Sequence, residues 1–150
     1  MILVIFFPYE FNRNQHQING YLHYKSRAMT HIVVSPSLLP ELLPKASANS
    51  PKHIRLFCQI LSYEPSRFML TVGKVPMLSN VDNDPIDINV KELLATSTSS
   101  LSFEVGDVIE IDGCFNGRKV EPISICEMQW SDVTIEKLQV LDYMSDMKPL

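Results

Sequence analysis

Three cysteines in 150 residues are too few, and too scattered, to staple a fold. Cys58, Cys114 and Cys126 are odd in number and form no C-x-x-C pair. That argues against a disulfide scaffold and fits a reducing compartment, nucleus or cytosol. His16, His23, His31 and His53 fall outside metal-ligand spacings, so no structural metal is expected. No apolar run approaches the ~20 residues needed to span a bilayer, and no membrane partner is expected. Positive charge is also short: 13 Lys and Arg stand against 17 Asp and Glu, a net charge of −4. A general nucleic-acid binder, whose affinity comes from neutralising phosphates, is disfavoured, although a local basic patch is not. A Gly-rich phosphate loop, a nucleophile elbow and an H-E-x-x-H motif are all missing. No enzyme activity, catalytic residue or cofactor is expected.

The clearest positive signal lies between Val105 and Trp130. Ile109 and Ile111 alternate with Glu110 and Asp112, the period of a strand with one wet and one buried face. Asn116-Gly117 then marks a tight hairpin, because both residues tolerate positive φ. The return strand carries Val120, Ile123, Ile125 and Met128, and Pro122 places part of it at an edge or a bulge. Gly106 and Gly113 suit points where the chain must turn or bend.

Ahead of the hairpin the chain divides by composition. Residues 1–28 hold a short apolar run, Met1 to Phe7, and an Asn/Gln/Tyr-rich segment without the features of a secretory signal. They are expected to be a poorly ordered extension, or to lie upstream of a true start at Met29. Residues 29–150 are expected to form a single domain. Met29 to Val34 predicts a short strand. Ser35-Pro36 has the chemistry of a helix start, with Leu38, Leu39, Leu42 and Leu43 giving a turn or two one apolar side. Residues 45–51 have linker composition. In His53 to Tyr63, Ile54, Leu56, Cys58 and Ile60 alternate with Arg55, Phe57, Gln59 and Leu61. Glu64-Pro65-Ser66 makes a turn, and Arg67 to Lys74 returns with Phe68, Leu70 and Val72 on one face. Ile86, Ile88 and Val90 predict a third strand, and residues 91–95 a helical turn. After Trp130 the period changes. Val133, Lys137, Val140, Leu141 and Met144 trace one side of an amphipathic C-terminal helix, with Ser131 or Asp132 as N-cap.

Five strands with a helical element after the third and a helix after the fifth predict an all-β barrel with flanking helices, the OB-fold. A β-sandwich would need about seven strands. In this setting the chain resembles the smallest subunit of the CST complex, a telomere-capping assembly of OB-fold proteins. The resemblance covers roughly Leu38 to Met144. It rests on Leu38-Leu39-Pro40-Glu41-Leu42, Ile54 to Ile60 with Tyr63, Phe68 to Val72, Val105-Gly106-Asp107, Ile111-Asp112-Gly113 and Val133 to Leu141. Cys58 stands where that pattern has a small glycine. The resemblance implies a nuclear protein of the telomeric region of chromosomes. Its direct partner would be the middle OB-fold subunit, with the large subunit in the same complex and single-stranded telomeric DNA held mainly through the assembly. The small subunit of replication protein A and a free-standing single-strand-binding module share the architecture.

Two candidate surfaces follow. Val133, Leu138, Leu141, Tyr143 and Met144 are too many apolar residues for one face of a 3.6-residue period, and the excess suits a partner helix. Arg55, Arg67, Lys74, Arg118 and Lys119, with Lys52, and the aromatics Phe57, Tyr63 and Phe68 are the cations and rings a single-strand groove needs. Between residues 82 and 112, eight carboxylates stand against Lys91 and would repel phosphate.

Overall fold

The computed structural model describes residues 30–76, 84–98 and 100–128, together with 134, 136, 137, 139, 140 and 143. The expectation for residues 1–28 lies outside them. Along the described chain come β1 (His31–Val33), a 3-10 turn (Pro36–Leu38), α1 (Leu39–Leu42), β2 (Lys52–Glu64) and β3 (Met69–Gly73). There follow β4 (Ile86–Asn89), α2 (Lys91–Thr96), β5 (Val108–Phe115) and β6 (Val120–Glu127).

β2 is the long strand on which the others assemble. Ile54, Leu56, Cys58 and Ile60 are each no more than 1% exposed, so the predicted alternation puts one whole side of the strand into the core. The sheet order is β4-β3-β2-β5-β6, antiparallel throughout. β5 returns beside β2 on the side away from β3, a Greek-key path. The two outer strands, β4 and β6, also approach each other, so the sheet curls into the expected OB-type half-barrel. Leu70, Val72, Ile88, Ile109, Ile111 and Ile125 fill it from the other strands. β1 adds a sixth strand, parallel to β2 through His31–Ile54 and Val33–Leu56.

Three local expectations change. The second barrel strand starts at Met69 rather than Arg67, because the Arg67 and Phe68 amides close a turn on Glu64 and Pro65. Phe68 takes φ +53 there and leaves the face assigned to it. On β6, Val120 and Ile125 are buried, but Ile123 is 58% exposed. The ladder steps from Asp112–Ser124 to Gly113–Pro122, so Ile123 is the extra residue of a bulge and turns outward. Finally, Val90 lies just past β4 and its amide bonds to the Phe68 carbonyl. The bend expected at Gly113 is present, and there a Cβ would sit 2.5 Å from the Glu121 carbonyl oxygen.

Candidate partner and nucleic-acid surfaces

On its outward side, the β2–β5 pair carries charge in rows. His53 Nε2 lies 3.1 Å from Asp112 Oδ1, and Arg55 Nε lies 2.9 Å from Glu110 Oε1. His53 Nδ1 also sits 2.9 Å from the Thr30 hydroxyl. Arg55 Nε and Asp112 Oδ1 are shielded from solvent, yet neither completes a hydrogen bond of good geometry. The Arg55–Glu110 contact is therefore an ion pair held by distance and not a directed bond, and the His53–Asp112 contact is a close polar approach. Two of the eight carboxylates expected to repel phosphate, Glu110 and Asp112, are here already engaged by β2.

The aromatics expected in a groove are elsewhere. Phe57 is 6% exposed, packed with Val34, Val75 and Val108 and flanked by Ile32 and Met128. Its alternation is correct, but a second apolar cluster covers the outer face at that point, so Phe57 offers no ring to a base. Tyr63 lies against the main core, and its ring meets Phe103 at 4.8 Å between centroids. The bulge between Ile60 and Ser62 shifts the alternation and turns Tyr63 inward. Phe68 is partly exposed at the β2–β3 turn.

Nor do the cations converge on one groove. Arg67 occupies the β2–β3 turn, 3.6 Å from Glu64. Arg118 and Lys119 occupy the β5–β6 turn, beside the opposite end of β2, where Lys52 pairs with Phe115. Thirteen residues of strand at ~3.3 Å each put roughly 40 Å between the two turns. Lys74 follows β3, half-buried and with an interaction of its own.

The β5–β6 turn falls where Asn116-Gly117 predicts it, with Gly117 and not Asn116 taking the positive φ. The Asn116 amide bonds to the Lys119 carbonyl at 3.2 Å. Asn116 Oδ1 accepts from the Arg118 and Lys119 amides. Gly117 has φ +89, as the first central residue of a II′ turn requires. Composition makes residues 45–51 a linker, but Ala46 packs directly on Gly117. Lys45 thereby joins the hairpin tip, a proximity no local pattern encodes.

Of the proposed partner face, Val133, Leu138, Leu141 and Met144 lie outside the described residues. Backbone at 136, 137, 139, 140 and 143 is helical, and Val140 and Tyr143 are 55% and 72% exposed. Among the described residues no cluster of His, Cys, Asp or Glu is arranged to hold a metal ion. Burial pushes the Cys58 thiol far up. Burial, with Glu121 and Asp112 nearby, also raises Cys114. Burial and then the Lys52 charge lower His31.

Comparison with known proteins agrees with this architecture. No curated protein matches. A chain in the crystal structure of yeast Stn1 and Ten1 superposes with a TM-score of 0.53 at 16% identity, over 78% of this chain and 92% of that one. At that identity the likeness carries the fold. A family model, Ten1, described as a telomere-capping CST complex subunit, matches residues 29–142. The chain belongs to the Ten1 family of telomere-capping CST complex subunits.

Proposed function

We propose that this protein is the small, non-enzymatic OB-fold subunit of a CST-type complex. It works in the nucleus at the telomeric region and acts mainly by pairing with a middle OB-fold subunit similar to Stn1. The supporting observation is the surplus of apolar surface beyond the barrel: Val140 and Tyr143 lie on helical backbone and stay exposed. In the sequence, Val133, Leu138, Leu141 and Met144 add apolar residues at helical spacing in excess of what one face can hold. A partner helix is the natural cover for such a stripe. Single-stranded telomeric DNA is then held chiefly by the assembly, which also contains the large subunit, and this chain's direct contribution is weak. The buried Phe57 and the paired Arg55 support that division of labour.

Affinity purification from native cells, with partners identified by mass spectrometry, tests the assignment. Recovery of an OB-fold protein with winged-helix domains, plus a telomere-specific DNA binder, is expected. Recovery of the large and middle subunits of replication protein A, or of no partner, overturns it.

A further inference from the structure

Around the β5–β6 turn the fold gathers positive charge in a chain that is acidic overall. Gly117 is pressed on Ala46 so closely that a Cβ would collide with its carbonyl oxygen. That contact brings the segment carrying Lys45, just after α1, to the hairpin tip that holds Arg118 and Lys119. Lys52 enters from β2, opposite Phe115. Among the described residues its Nζ donates only to the Ser50 hydroxyl, at 3.3 Å, and its charge is felt at His31. One carboxylate from β6, Glu121, answers this group: it lies 3.7 Å from Lys119 and accepts from Asn116. Asp112, further along β5, is taken by His53. Lys45 and Arg118 are exposed and have no ion-pair partner among the described residues. Phe115, the ring nearest in sequence, is 2% exposed.

We infer that the surface formed by Lys45, Lys52, Arg118 and Lys119 binds the phosphodiester backbone of single-stranded nucleic acid, without base stacking. This rests on the reading of the protein as a subunit of a single-strand-binding assembly and adds a direct contact to it. Cations without an exposed ring read charge and not sequence, so the contact is indifferent to base identity. It also lies at the other end of β2 from Arg67.

The test is the salt dependence of binding of oligodeoxythymidine and of a mixed-sequence strand. It is made on the full chain alone and again with its middle subunit. Each phosphate contact on a single strand contributes a slope of about −0.7 in log K against log salt. Lys45→Gln with Arg118→Gln should flatten the slope by about 1.4 for both strands. Lys91→Gln, a cation on α2, controls for net charge and should leave it unchanged. An unchanged slope in the double variant, or an equal change in the control, overturns the inference. So does polyglutamate binding as tightly as the strands with the same sensitivity, since that identifies an acidic peptide site. Failure of the chain to pair with the middle subunit would count against the assembly reading alone, because the slope is also measured on the isolated chain.

Discussion

Arg55 Nε lies 2.9 Å from Glu110 Oε1, diagonally across the β2–β5 ladder, where Arg55 is level with Asp112 and Phe57 with Glu110. A cation held this way is already neutralised, and a phosphate would have to displace a carboxylate to reach it. Both side chains are partly exposed, so the pair itself is worth little. A double-mutant cycle of Arg55→Ala and Glu110→Ala should give a coupling of ~0.5 kcal/mol by denaturant unfolding. Arg55→Glu with Arg67→Glu should weaken DNA binding by the assembled complex only modestly. Complete loss would show that the outer face of β2 is a main contact.

Gly113→Ala should destabilise the barrel by about 1–3 kcal/mol, because the new methyl would meet the Glu121 carbonyl at 2.5 Å. Thermal unfolding checks this. An unchanged midpoint would mean that the bulge at Pro122 yields freely.

The three thiols should react in a fixed order with an alkylating reagent under native conditions. Cys126 is exposed and reacts first. Cys114 follows and needs a more alkaline solution, because burial and two carboxylates raise its pKa. Cys58 reacts only after unfolding, since it is buried among Leu56, Ile60 and their neighbours. Mass spectrometry of time points would establish the order, and early labelling of Cys58 would contradict the core packing.

His31 supplies a pH dependence with a definite sign. Its folded-state pKa is lowered from 6.5 by burial and by Lys52, so the unfolded chain binds the proton more readily. Its contribution is complete above about pH 6.5 and is lost as pH falls from there through the lowered folded-state pKa. His31→Gln should therefore flatten the stability profile below about pH 6.5. A variant as acid-sensitive as the parent would contradict this.

Much of the barrel follows from short-range pattern. The alternation from Ile54 to Ile60 and from Ile109 to Ile111, and the Asn116-Gly117 turn, are local signals that the sheet preserves. Bulges limit this: alternation misassigns the face of Ile123, and past the irregularity at Leu61 it is Tyr63 that turns inward. Phe57 shows another limit. Its side of the strand was right, but its cover comes from Val34, Val75 and Val108, which are remote in sequence. Lys45 is the same lesson for charge, because only tertiary contact between Ala46 and Gly117 brings it to the hairpin.

The central proposal is pairing through the C-terminal helix, and calorimetric titration with the middle subunit tests it most directly. Leu138→Asp with Leu141→Asp, in a variant whose circular dichroism shows an intact barrel, should abolish the binding seen with the parent chain. Undiminished affinity in that folded variant would contradict a helix-mediated interface.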